Sequence, residues 1–480
     1  MKKRKHAVLL ALGALLFTGH AAAVSLNPRG LGQVLIYPYY TVNKGQDTLL
    51  SVTNTGDLGK VVKISFNEGY NGRTVMDFHV FLSPYDAWTA TVTAAGEGAR
   101  IVSNDRSCVL PMSAGMDIHT TGFHFRSSSY DGQYIPGWVD GGPTGLARTR
   151  EGSIRMITVG DVVPGSRTDD LIAHQQTGNP GEGTPAGCAE LSLMHGDLVV
   201  PTNTLAGSAG IVNVGEGTYY PYNAEALADF TGVVLFSSVS AEFDQLALVN
   251  SYPLLDRTEA SVFVDGKPIT LSYERGIDAV SAVLMADNLY NEYIVSENIG
   301  ARTDWVVTFP TKHFHVDPFY TPIATPPFVE PFDKGESKVE ITTAIYDREE
   351  GHAFIDDIGV PVGRKPDILP YEVNVIDWRT STEANELSGV FGSKLRSNLK
   401  PWGNDGWARL NLAAGDGGHA LPPDKSGKVL YGLPAIGFMA YNLINANAQP
   451  GKLANYGGVF PHRTTSACGT PTGTPELPCH

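Results

Sequence analysis

Apolar and polar residues alternate in short runs, each broken after roughly ten positions by a turn cluster, and this pattern limits the chain most. Residues 33–42 (QVLIYPYYTV) end at Asn43-Lys44-Gly45-Gln46-Asp47. Residues 48–53 (TLLSVT) stop at Asn54-Thr55-Gly56-Asp57, and 60–66 (KVVKISF) run into Asn67-Glu68-Gly69. Residues 75–82 (VMDFHVFL) halt at Ser83-Pro84. A period of two sends successive side chains to opposite faces, so each run reads as a strand with one face to bury. Short, evenly spaced strands predict antiparallel sheets packed face to face. The 53 glycines and 31 prolines agree, because both residues make turns and interrupt helices.

The expected fold class is therefore mainly β: two immunoglobulin-like or β-sandwich units, a loop-rich insertion pinned by a disulfide, and a few short helices. Residues 1–23 form a leader and 24–110 the N-terminal sandwich region. Residues 111–210, dense in Gly, Ser, Thr and Pro, form the insertion, although 151–159 read as a strand. Residues 211–317 continue the first unit. A stiff crossing over 318–336 carries Pro318, Pro322, Pro326, Pro327 and Pro331. The C-terminal sandwich region spans 337–463, and 464–480 are a polar tail. Within these regions 224–230 is a short helix candidate, 278–288 fits helix or strand, and Asp265-Gly266 marks a hairpin.

The N-terminus has the form of a secretory signal. Lys2, Lys3, Arg4 and Lys5 precede an apolar stretch over 7–18, and Ala21-Ala22-Ala23 offers a small-residue cleavage site. The apolar stretch is too short for a membrane span. The expected location is outside the cytoplasm: extracellular, cell surface or periplasm. Removing those four cations from 35 leaves 31 against 50 Asp and Glu, a net charge of −19. Such a surface repels nucleic acid and anionic lipid. Cys108, Cys188, Cys468 and Cys479 all lie beyond the leader, and in an oxidising compartment four cysteines read as two disulfides. Three pairings exist; closeness in sequence favours Cys108–Cys188 and Cys468–Cys479. No CxxC pair is present to suggest a thiolate metal site.

Three runs carry a resemblance. They are 30–43 (GLGQVLIYPYYTVN), 81–88 (FLSPYDAW) and 304–312 (DWVVTFPTK). Together they resemble a family of exported, β-rich proteins of Gram-negative bacteria that has no assigned activity. The resemblance implies export and a shared fold. It transfers no catalytic residue and no substrate.

The motifs for common chemistries fail their contexts. Ala206-Gly207-Ser208-Ala209-Gly210 fits a relaxed nucleophile elbow, but strand-like residues follow where a helix is needed, so a flexible turn is expected. Ser397 and Lys400 match S-x-x-K without its companion elements. Glu349-Glu350 and Asp356-Asp357 are adjacent acids, whereas glycosidase carboxyls face each other across a substrate. His313, His315 and Asp317 alternate and on a strand would share a face, the one metal-ligand candidate; a polar strand face is the plainer reading. Two tyrosine clusters, Tyr37, Tyr39, Tyr40 and Tyr219, Tyr220, Tyr222, and the pair Trp402 and Trp407, are candidate contacts for a glycan or protein partner. Half-buried sheet aromatics are the plainer alternative.

No catalytic residue and no cofactor is expected. The functional expectation is an exported, non-catalytic structural or interaction protein with a protein or glycan surface partner, self-association and adhesion included. The alternatives are a secreted hydrolase or carbohydrate-active enzyme, and a non-catalytic glycan binder.

Overall fold

The computed structural model describes residues 23–479, apart from 112–116, 134–138, 176–182, 186, 193–194, 239–245, 252, 254–257, 354–365, 380–386, 415–417, 446–448, 450–451, 453 and 471–478. Residues 1–22 of the leader expected over 1–23, and the acids Asp356 and Asp357, lie outside the described residues.

The chain is mainly β, with three short α-helices among the described residues. The largest sheet runs, in spatial order, Lys267–Tyr273, Thr258–Val264, Val24–Leu26, Glu225–Ala228, Val34–Thr41, Glu151–Val162, Lys60–Glu68, Thr74–Leu82 and Cys108–Leu110. A second sheet runs Thr218–Asn223, Leu205–Asn213, Asp47–Asn54, Ala87–Ala95, Gly98–Val102 and Phe123–His124. The alternation read from the sequence explains the stacking. Val62, Ile64 and Phe66 enter the same core as Leu50, Val52, Trp88 and Ile211 from the second sheet. The intervening Val61 enters a different core, on the opposite face, with Phe81, Ile277 and Val280.

Two further sheets stand at the C-terminal end. One orders Arg396–Leu399, Val373–Trp378, Ala301–Thr308, Ile436–Leu443 and Tyr456–Pro461. The other orders His352–Ala353, Glu340–Asp347, Asp405–Asn411, Asn288–Ile294 and Arg463–Thr465. Trp305, Ile376, Trp378 and Met439 of the first pack on Leu289, Tyr293, Ile345 and Leu410 of the second. Val306, Val375 and Phe438 point the other way, into the core of the N-terminal sheets. Ala301–Thr308 precedes the proline-rich run, yet it pairs with two strands that follow it. That run therefore bridges parts of one layer.

Both disulfides form as the neighbourhoods suggested: Cys108–Cys188, with 5.2 Å between Cα atoms, and Cys468–Cys479. The 80-residue loop closed by the first encloses Glu151–Val162, which lies between Val34–Thr41 and Lys60–Glu68. The hairpin at Asp265-Gly266 is present, with φ of 50° and 75°, the pair of positive angles a two-residue hairpin turn requires.

Three local expectations change. The helix candidate over 224–230 is the strand Glu225–Ala228, because Val34–Ile36 and Ser25–Leu26 pair with it on either side and pairing outweighs the helical propensity of Glu-Ala-Leu-Ala. The turn expected over 206–210 is part of the strand Leu205–Asn213, held between Asp47–Asn54 and Thr218–Asn223. Residues 312–316 are a single helical turn, Lys312–Val316, so His313, His315 and Asp317 do not share a strand face.

Candidate functional site

The helical turn brings its polar residues into a buried ionic belt. Asp317 accepts two bonds from the Arg73 guanidinium, at 2.7 and 2.8 Å, and one from Asn71 Nδ2 at 2.9 Å. Arg148 holds Glu68 at 2.7 and 2.9 Å and Asp140 at 3.0 and 2.5 Å. Its guanidinium carbon lies 4.2 Å from the Tyr130 ring centroid. Arg155 Nη1 donates to His313 Nε2 at 3.2 Å, so the proton sits on Nδ1, which donates to Glu372 at 2.5 Å. His315 lies against Ser281 and Thr325 at 3.2 and 3.1 Å. Burial pushes both histidines below the usual range, His315 to about 3, where the charge of Arg275 adds to the effect. The three ligand candidates thus turn to three separate sets of partners. Among the described residues no three His, Cys, Asp or Glu side chains gather as a metal site. The belt is a set of paired, hydrogen-bonded charges, as buried ions must be.

Most of the tyrosines join the core as well. Tyr37, Tyr39, Tyr40 and Tyr220 are wholly buried and Tyr222 nearly so. Tyr37 donates to the Ser51 carbonyl at 2.8 Å, Tyr39 to Glu151 at 2.8 Å and Tyr40 to the Thr149 carbonyl at 3.0 Å. A ring that fills the core and finds a partner for its hydroxyl there is not a contact surface. Tyr219 is the exposed member.

An open cleft of about 1160 Å³ lies at the C-terminal end, and Trp407 is the expected residue that lines it. Tyr346, Trp407 and Glu292 stand directly opposite one another on three neighbouring strands. Alternation explains their direction: Ala408 and Leu410 fill the core, so Trp407 faces out and is 40% exposed. The Tyr346 and Trp407 rings are parallel, 4.2 Å apart at 9°. Tyr441 and Phe460, which also line the cleft, form a second parallel pair, at 6.2 Å and 8°. Gly458 makes room for the first of these: a Cβ there would lie 2.4 Å from Tyr441 Cε1.

Charged groups border the aromatic walls. Arg348 pairs with Asp405 at 2.7 Å and Arg463 with Glu292 at 3.1 Å. Asp347 accepts the Glu349 amide at 2.8 Å. Arginine or backbone partners occupy these three carboxylates. Arg463–Thr465 covers the Asn288–Ile294 strand only as far as Tyr290. Beyond it, side chains satisfy the strand edge. Trp305 Nε1 donates to the Glu292 carbonyl at 2.8 Å; Thr303 Oγ1 accepts the Ile294 amide at 3.0 Å and donates to its carbonyl at 2.8 Å. The edge is closed to strand addition there, which leaves the cleft as a surface for side-chain contact.

Trp402 is exposed and lies outside this lining. Ser208 is held in strand pairing, and Ser397 donates to the Ile368 carbonyl at 3.0 Å. Tyr346, Tyr441 and Phe460 were missed because none belongs to an aromatic cluster in the sequence: Tyr346 is alone in its strand, and Tyr441 and Phe460 stand three and four residues from Phe438 and Tyr456. For Tyr346 and Tyr441 the adjoining buried residues, Ile345 and Ala440, are the signal that sets them on the opposite face; Phe460 lies on an exposed strand and has no such signal. Comparison with family models, curated proteins and solved structures finds no match to this chain.

Proposed function

We propose that this is an exported, non-catalytic interaction protein, akin to the Gram-negative family it resembles, which holds a glycan chain in the C-terminal cleft. The observation that carries this reading is two aromatic pairs, each with parallel rings, Tyr346–Trp407 and Tyr441–Phe460, lining one open cleft. Pyranose rings present apolar faces and polar edges, and such a lining offers rings for the faces and ion-paired groups for the hydroxyls. The ion pairs of Asp405 and Glu292 favour binding over hydrolysis, since acid and base work needs carboxyls free to exchange protons. Two disulfides suit work outside the cytoplasm. Among the described residues no helix is long and apolar enough to cross a membrane.

Affinity electrophoresis through gels containing neutral polysaccharides tests the proposal. The protein is expected to be retarded, and Trp407→Ala to lose about tenfold in affinity, the ~1.4 kcal/mol of one stacking contact, while keeping its circular dichroism. Unretarded migration through every polysaccharide, or release of sugar products, would overturn it.

A further inference from the structure

We propose that Lys60 and Asp161 are joined by a side-chain amide, a covalent cross-link between two central strands of the largest sheet. The two residues are direct cross-strand partners on Lys60–Glu68 and Glu151–Val162. Both side chains are wholly buried, and Lys60 Nζ touches Asp161 Oδ1. Thr202 completes the arrangement. Its hydroxyl lies 3.0 Å from Lys60 Nζ and 2.6 Å from Asp161 Oδ2, and its amide donates to Oδ2 at 2.9 Å.

These contacts match what amide formation requires. Nucleophile and carboxyl are held in contact, so the reaction has the advantage of an intramolecular step. The Thr202 N–H and O–H both point at Oδ2, where negative charge grows when nitrogen adds to Cγ. The hydroxyl also accepts from Lys60 Nζ and so holds the nitrogen against the carboxyl, while Oδ1, which Nζ touches, is placed to take the protons that the nitrogen gives up. Burial lowers the proton affinity of Lys60 against the pull of Asp161, which favours the neutral amine.

The step balances without a co-reactant. Nζ forms a bond to Cγ, and the bond from Cγ to Oδ1 breaks. The ammonium gives up two protons, which leave with Oδ1 as water. The remaining N–H keeps the Thr202 carbonyl, 3.2 Å from Nζ, as its acceptor, and Oδ2 keeps both Thr202 donors. Two buried charges become one neutral group with its hydrogen bonds met, which removes the desolvation cost an ion pair carries. Lys63 and Asp77 make a useful contrast: they too are buried on neighbouring strands, but 3.4 Å apart.

Mass spectrometry of the folded, exported protein decides the matter. After reduction, denaturation and digestion, the peptides holding Lys60 and Asp161 are expected as one species, lighter than their sum by one water. The Lys63 peptide is expected without a link to Asp77. Asp161→Ala should release the Lys60 peptide. Recovery of separate, unmodified Lys60 and Asp161 peptides from the folded wild-type protein would overturn the proposal, whether or not the variant folds. A joined species that persists in Asp161→Ala would overturn the assignment to Asp161.

Discussion

His315 shows how a side chain's surroundings set its chemistry. Its ring is wholly buried and meets two hydroxyls, of Ser281 and Thr325. Neither is an anion, and Arg275 adds positive charge, so its pKa falls to about 3 in the folded chain. In the unfolded chain the ring titrates near ~6.5. Between these values the unfolded state binds the extra proton, so stability rises with pH. The contribution is complete above the unfolded value and is lost as pH falls towards the folded one. Urea unfolding at pH 6.5 and 4.5 should show His315→Gln losing less stability on acidification than wild type, by up to about 1.4 kcal/mol per pH unit. Equal losses would mean that the ring is protonated in place. Lys312, next to His313, obeys the same logic. Its ammonium is fully enclosed and donates to the Ser337 and Tyr371 carbonyls at 2.6 and 3.0 Å, and burial pushes it down to about 7.

At the scale of elements, the cleft depends on what two strands leave out. Tyr456–Pro461 carries Gly458 beneath the Tyr441 ring. Gly458→Ala would put a methyl group where that ring lies and push it away from Phe460. Polysaccharide affinity is expected to fall by about threefold to tenfold, or ~0.7 to 1.4 kcal/mol, with little change in melting temperature because Gly458 lies on the edge strand Tyr456–Pro461 and Tyr441 is only partly buried. Affinity electrophoresis of Gly458→Ala beside Trp407→Ala checks this, and undiminished retardation of the glycine variant would remove Tyr441 from the binding wall. This kind of dependence also marks how far the elements were legible in the sequence. The N-terminal strands were readable because 48–53 and 60–66 are short runs that alternate apart from one apolar pair each, Leu49-Leu50 and Val61-Val62, and end in turn residues. The Glu225–Ala228 strand was not, since four residues of good helix formers become a strand only when two distant segments flank them. The alternation of His313, His315 and Asp317 was equally silent. Their directions are fixed by Glu372, Ser281 and Arg73, which the chain brings from three remote places. Trp407 was found as an aromatic beside a turn; its wall partners come from separate strands, and no local pattern links them.

At the scale of the whole molecule, the two disulfides do different work although both lie in the same acidic chain. Cys108–Cys188 closes 80 residues and Cys468–Cys479 closes 11. In the chain-entropy account a bridge stabilises by restricting the unfolded state, about 4.5 kcal/mol for the longer loop and about 3 for the shorter. The difference in place matters more. The longer loop contains Glu151–Val162, which pairs with Val34–Thr41 and Lys60–Glu68 near the middle of the largest sheet. Unfolding that strand separates the two halves of the sheet, so restricting its loop bears on the N-terminal core as a whole. The shorter bridge ties Ala467–Gly469, paired among the described residues only with Val429–Tyr431, to Cys479. Replacing Cys108 and Cys188 together by Ser should therefore lower the urea midpoint of the entire molecule. Replacing Cys468 and Cys479 should mainly increase hydrogen exchange around 429–431 and 467–469. Paired measurements of urea midpoint and exchange check this, and the reverse ranking would place the weight of the fold in the C-terminal sheets.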